Sequence, residues 1–177
     1  MSTPRSRTLT DDAGELFPVL DAEGHEIGSA PRAACHADPS LIHPSVHVVV
    51  VTGDGCLWQL RGYGKDSAPG HWDHACSGHV GLGEDARTAA VRELAEEIGV
   101  VVEGRALAHV DQVLCELGNE TELTTVFRLE HDGPFTVRLP EVAGLAVLPR
   151  GRRPEPLSPS ALLLGARLDA EHPGWDG

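Results

Sequence analysis

The sequence predicts an α/β fold, and three of its features carry that prediction. The continuous valines of residues 47–52, HVVVVT, read as a central strand buried on both faces. From Glu84 onward, alanines and a capping Gly99 predict a helix of about four turns. Around these two, extended segments and helices interleave along the chain, the pattern of a sheet packed against helices.

Taken in order, residues 1–15 are polar and without periodicity, which predicts a flexible arm ahead of a single domain over residues 16–177. Residues 17–20 and 26–30 flank Asp21, Ala22, Glu23 and Gly24 and predict a hairpin. The strongest hairpin follows, with residues 47–52 turning through Gly53-Asp54-Gly55 into CLWQLR at 56–61. Residues 62–71 are rich in Gly, Ser and Pro and predict a loop leading to Trp72. Beyond the helix, residues 106–117 and 122–129 read as strands around Gly118-Asn119-Glu120. Residues 134–139 suggest another strand, and 142–148 an extended apolar segment. Residues 149–159 form a Pro- and Arg-rich linker. Ser158 as N-cap and Pro159 at the first helical position start a last helix through Leu168, which should dock Leu162, Leu163 and Leu164 on the core.

With 177 residues the chain is long enough for one domain with a real core. The formal net charge of −13, from 27 acidic against 14 basic residues, argues against a nucleic-acid surface, which needs clustered Lys and Arg. Four cysteines occur without a Cys-x-x-Cys spacing, and no apolar leader follows Met1, so reduced thiols in the cytoplasm are expected. No apolar run approaches the ~18 residues needed to cross a membrane.

Chemistry concentrates between Gly78 and Val100. Val91, Leu94 and Ile98 fall on one side of the predicted helix, and Arg92, Glu93, Glu96 and Glu97 on the other, which is expected to look outward. Glu93 meets Glu96 at i,i+3 and Glu97 at i,i+4, and each like-charge pair costs a few tenths of a kcal/mol. Crowded carboxylates are the hard oxygen ligands that Mg²⁺ or Mn²⁺ prefers, and a divalent cation removes the repulsion. A second constellation comprises His36, His43 and His79 with Glu120 and Glu122, three imidazoles and two carboxylates that suit one Mn²⁺, Zn²⁺ or Mg²⁺.

Gly78, Glu84, Arg92, Glu93, Leu94, Glu96, Glu97, Gly99 and Val100 fill every position of G-x5-E-x7-R-E-U-x-E-E-x-G-U, where U is aliphatic. The chain thereby resembles the Nudix hydrolases, which cleave diphosphate linkages in nucleoside and other organic diphosphates. The resemblance implies an α/β/α sandwich with a mixed β-sheet and a small-molecule diphosphate as partner. It also implies a metal set of Glu93, Glu96, Glu97 and Gly78 for Mg²⁺ or Mn²⁺. Glu97 is the first choice for general base and Glu122 the second, and Arg92 would orient Glu93 or Glu96.

HADPSLIH at 36–43, Arg61 and Lys65 ahead of PGHW at 69–72, Gly78-His79, and ETE at 120–122 are similar to type I isopentenyl-diphosphate isomerase, itself built on the Nudix fold. That likeness implies that His36, His43, His79, Glu120 and Glu122 hold one metal, and that Arg61 and Lys65 hold the diphosphate. The departures oppose isomerase chemistry. Ser77 stands at the isomerase's cysteine, with Cys76 one residue out of register; Glu93 stands at its arginine; and the only tyrosine is Tyr63. A diphosphate hydrolase is therefore the primary reading, with isopentenyl-diphosphate isomerase and a non-enzymatic binding module as alternatives. Trp58, Tyr63 and Trp72 are the aromatics available to stack a base.

Overall fold

The computed structural model describes residues 12–176. Residues 1–11 of the expected arm lie outside the described residues. In chain order the elements are β1 (Leu16–Leu20), β2 (Glu26–Pro31), α1 (Arg32–Cys35), β3 (His43–Thr52), β4 (Gly55–Arg61), β5 (Trp72–His74), β6 (Cys76–His79), α2 (Ala86–Ile98), a 3-10 turn (Gly104–Ala106), β7 (Ala108–Glu116), β8 (Thr121–Glu130), β9 (Val142–Leu148) and α3 (Pro159–Glu171).

β3 is the axis of the sheet. Alternation along a strand sends successive side chains to opposite faces, so Val46, Val48 and Val50 meet Ala89, Ala90, Leu94 and Ile98 of α2. Val49 and Val51 join Trp58, Val126, Leu164 and Leu168 on the α3 side. A mixed seven-stranded sheet thus lies between α2 and α3, with β1 and β2 as a separate two-stranded ribbon. β8 runs parallel to β3 along one edge, pairing His43 with Glu122 and Val51 with Glu130. β4 and β6 therefore share the other edge, β4 opposite Val50–Thr52 and β6 opposite Ser45–Val48. β3 and β4 diverge, and β5 and β6 fill the gap by pairing first with β4 and then with β3.

Local chemistry sets the helix ends. Asp85 caps α2 by accepting from Thr88 N, and Gly99 ends it at φ 72°, a left-handed conformation that favours glycine. Ser158 caps α3 by accepting from Ala161 N, with Pro159 in the first turn.

Four expectations change. Residues 134–139 form no strand: their backbone crosses the end of α2, where Thr136 N bonds Ile98 O, and the two prolines at 134 and 140 have no N–H to give a ladder. Leu162 is 56% exposed, and Ala161, Leu164 and Leu168 make the buried stripe of α3, as a 3.6-residue period requires. The described end of the expected arm is tied down, with Ala33 N bonding Ala13 O at 3.1 Å and Arg32 N bonding Glu15 O at 2.7 Å. Finally, the acidic side of α2 looks outward only in part: Glu96 is exposed, but Glu97 is only 3% exposed, because β4 and β6 form a second wall over it.

Candidate active site

Two clusters of acidic and imidazole groups line one cleft of about 650 Å³. The first is built on α2. Glu97 Oε2 accepts from Gln59 Nε2 at 2.9 Å and from the Ser77 backbone N–H at 3.0 Å. Glu93 packs against Gly78 so closely that a Cβ there would lie 2.2 Å from Glu93 Oε1. Arg92 ties the helix to the loop before it. Its Nε and Nη2 reach Glu84 at 3.0 Å each, Nη2 also donates to His79 O at 3.0 Å, and Nη1 donates to Glu93 at 2.6 Å and to Glu96 at 3.2 Å. Glu96 is the outermost of the three glutamates, its side chain 60% exposed.

Burial raises the pKa of both Glu93 and Glu97, and the Glu97 charge raises Glu93 further. Two buried carboxylates that resist ionisation beside each other are a site short of positive charge. A divalent cation on oxygen ligands would relieve that shortage, and the carboxylates of Glu93, Glu96 and Glu97 are chemically suited to hold one.

The parallel register of β3 and β8 brings His43 beside Glu122, and β6 ends with His79 next to them. Asn119 Nδ2 donates to His36 O at 2.6 Å, which fixes the turn carrying Glu120 against α1. In the resulting cluster His36 Nε2 lies 3.2 Å from His79 Nε2 and 3.3 Å from Glu120 Oε2. His79 Nε2 lies 3.4 Å from Glu122 Oε1, and His43 Nε2 lies 3.9 Å from both carboxylates. His43 Nδ1 faces the Leu41 carbonyl at 3.2 Å and so carries the proton, leaving Nε2 a bare lone pair. Both that nitrogen and Glu120 Oε2 are buried without a hydrogen bond. Orphaned acceptors aimed at a shared point are what a cation would satisfy.

Burial and the neighbouring His79 push His36 down to about 4, and burial followed by the Glu122 charge pushes Glu120 up to about 7. Burial would raise Glu122 too, but its bond and attraction to His79 outweigh that and hold it low. Arg32 Nη1 donates to His79 Nδ1 at 3.2 Å. Cation binding at His79 Nε2 requires the proton on Nδ1, so Arg32 must then turn to Asp66, which it already grips through three bonds of 3.1–3.3 Å.

Arg61 and Lys65 both line the cleft. Arg61 spans Ser67 O, Asp73 and Ser77 Oγ, and Lys65 bonds Glu141. Ser77 faces the cleft, whereas Cys76 is fully buried in the core under α2. No Trp, Tyr or Phe among the described residues lines the cleft; Trp58 is core, Trp72 packs against that core, and Tyr63 is 75% exposed elsewhere. Sequence reasoning did not single out Phe17, stacked on His79 at 4.4 Å, or Arg32 and Asp66. It also missed Gln59, His47 and Asp73. Only their neighbours in space reveal them.

A NUDIX domain model matches residues 41–153. Over 151 residues the chain is 34% identical to Nudix hydrolase 3 of Arabidopsis thaliana, covering 77% of this chain and 19% of that protein. Over 103 residues it is 35% identical to an isopentenyl-diphosphate Delta-isomerase of Streptomyces avermitilis, covering 55% of this chain and 52% of the isomerase. The chain thus spans about half or less of the length of these curated relatives. The crystal structure of DR0079 from Deinococcus radiodurans shares the fold with a TM-score of 0.63 at 19% identity, covering 89% of this chain and 90% of that one.

Proposed function

Because the chain belongs to the Nudix family, we propose that it is a divalent-metal-dependent hydrolase that cleaves the diphosphate linkage of a nucleoside diphosphate derivative or other organic diphosphate. The observation that carries this reading is Glu97, a buried carboxylate in the cleft wall whose Oε2 is fixed by Gln59 and the Ser77 backbone N–H. Mg²⁺ or Mn²⁺, when bound at Glu93, Glu96 and Glu97 with Gly78, supplies neutralisation of the diphosphate and a lowered pKa for water. Glu97 takes the proton of the water that attacks phosphorus, with Glu122 the second candidate for that role. Arg92 fixes Glu93 and Glu96. Arg61 and Lys65 hold the diphosphate by charge-assisted hydrogen bonds, exchanging their present carboxylate partners for phosphate oxygens. His36, His43, His79, Glu120 and Glu122 would hold a second cation. A cleft lined by no large aromatic among the described residues favours substrates recognised by their phosphates over those recognised by a stacked base. The four free, buried cysteines suit a reducing compartment such as the cytoplasm.

One further reading has an observation behind it. The convergence of the three histidines and two glutamates, together with the likeness to the Streptomyces avermitilis protein, favours an isopentenyl-diphosphate isomerase. Ser77 opposes it.

The test is a hydrolysis screen over nucleoside diphosphates, nucleotide sugars, dinucleoside polyphosphates and isoprenoid diphosphates, with Mg²⁺ and with Mn²⁺. At least one should be cleaved, and Glu97→Gln should lower that turnover by about 10²–10⁴-fold. Inertness across the panel would favour a binding module, and full turnover by Glu97→Gln would remove the base from its role.

A further inference from the structure

Five Lys and Arg side chains among the described residues line the cleft, namely Arg32, Arg61, Lys65, Arg92 and Arg138. Arg32 grips Asp66, and Arg92 grips Glu84, Glu93 and Glu96. Arg61 bonds Asp73, which is fully buried beside His47 and His74. Lys65 is bonded to Glu141, a part-exposed carboxylate that lines the same cleft. Arg138 differs from the other four: it is exposed and has no hydrogen bond or ion pair with any described residue. Its Nη2 lies over the end of α2, 3.5 Å from the place a Cβ on Gly99 would take, where the helix dipole favours a positive charge.

The Lys65–Glu141 pair is not what joins the two segments that carry it. Gly62 N donates to Glu141 O at 2.8 Å, and a Cβ on Gly62 would lie 1.9 Å from Pro140 O, so the backbones of the loop and the turn are already in contact. Val142 N bonds Arg138 O at 3.0 Å and closes the turn, which keeps Arg138 and Glu141 together at the cleft edge. The ion pair can therefore open without parting the segments. Lys65 is also within electrostatic range of the base: burial raises the pKa of Glu97, and Lys65 is the largest influence against that rise.

A carboxylate on an ammonium group occupies the place that a phosphate oxygen would take, so Glu141 and a diphosphate compete for Lys65. Once displaced, Glu141 is a negative charge left beside the negative charge of the ligand, and such a pair repels. Arg138, in the same turn and without a partner of its own, is the cation at hand to neutralise it.

We propose, resting on the hydrolase reading above, that Glu141 is an internal competitor that occupies Lys65 until a diphosphate displaces it, and that Arg138 receives the displaced carboxylate. The exchange weakens binding of every ligand that needs Lys65. The Lys65–Glu141 bond re-forms as the phosphate products leave, which favours their release.

The test is calorimetric titration of the full chain, in Mg²⁺ held in excess, with methylenediphosphonate, a non-hydrolysable diphosphate. Glu141→Gln keeps the side-chain shape and removes the competing charge, and should tighten binding by about 10-fold. A merely structural ion pair predicts the opposite, since losing it would loosen the loop that carries Lys65. Arg138→Gln should weaken binding by about 3-fold or more in the parent and change nothing in the Glu141→Gln background, a coupling that a double-variant cycle reads directly. In the unmodified chain the ¹³C resonance of the Glu141 carboxylate should move as the diphosphonate is added. Unchanged or weaker binding by Glu141→Gln overturns the proposal and leaves the diphosphate cleft intact. So does an Arg138→Gln loss that persists without Glu141, because Arg138 would then touch the ligand itself. A Glu141 resonance that stays still while the diphosphonate binds overturns it too, whether or not either variant folds. If the parent binds no diphosphonate, the diphosphate reading of the cleft falls and this proposal with it.

Discussion

At Gly78 one absent carbon decides whether the acidic wall of the cleft can close. A Cβ there would sit 2.2 Å from Glu93 Oε1 and 2.3 Å from its Cδ, distances no packed side chain tolerates. The obstructing atoms are the end of a flexible side chain, so Glu93 yields before the backbone of β6 does. Gly78→Ala should therefore fold, with a loss of about 1–3 kcal/mol typical of overpacking, yet displace Glu93 from the cleft and lower hydrolysis far more than its melting temperature implies. Paired melting and turnover measurements check this; a variant with parental turnover would mean that Glu93 has no fixed place in the chemistry. The sequence marks Gly78 only as the first letter of a motif. Its physical reason, contact with a residue 15 positions later, becomes visible when β6 packs on α2.

α2 shows at the scale of one element what a pattern can and cannot convey. Its length, its Gly99 cap and its charged cluster were readable from local chemistry. The burial of Glu97 was not readable, because helical periodicity separates two faces without saying that a second wall, here Gln59 of β4 and Ser77 of β6, covers part of the polar one. Burial behind that wall gives the helix a stability that depends on pH. Glu93 and Glu97 have folded-state pKa values raised above the ordinary 4.5. Between 4.5 and those raised values the folded chain binds more protons than the unfolded one, so this pair's contribution is full below pH 4.5 and is lost as pH rises. In EDTA the melting temperature should fall as pH rises from 5 to 8, a slope that Glu93→Gln should flatten. Millimolar Mg²⁺ should raise the melting temperature most at the alkaline end, through binding to the folded form alone. A Mg²⁺ response unchanged in a Glu96→Gln, Glu97→Gln double variant would place the cation elsewhere.

Over the whole molecule, function depends on which strands lie side by side. The central valine strand and the helix of the motif were legible because each is a local pattern. The histidine–glutamate cluster was suggested by its ligand chemistry and singled out by likeness to a known family, since its members come from the end of α1, from β3 and β6, and from the turn into β8. Phe17, Arg32, Asp66 and the His47–Asp73–His74 group were not legible at all, because each is an ordinary residue until β1, β5 and the 62–71 loop fold against β3. The same assembly bears on the isomerase alternative. Moving a double bond requires one group to protonate carbon and another to remove a proton across the plane, roles that the family likeness gives to the cysteine position and to Glu122. Here Ser77 occupies that position and its Oγ lies 3.5 Å from the Arg61 guanidinium as an acceptor. Burial and the adjacent Glu97 push the Cys76 thiol well above its ordinary value, and it lies in the core under α2. Tyr63 is exposed outside the cleft. Neither a thiol nor a phenol is therefore placed to serve as the acid, and Glu93 puts negative charge where the likeness calls for an arginine. Incubated with isopentenyl diphosphate in deuterated water, the protein should incorporate no deuterium above a no-enzyme control, in the same preparation that hydrolyses another diphosphate. Ser77→Cys alone should not restore exchange, because Glu93 and the missing phenol remain. Robust incorporation by the unmodified chain would show that a serine at this position suffices, and the isomerase reading would then displace the hydrolase.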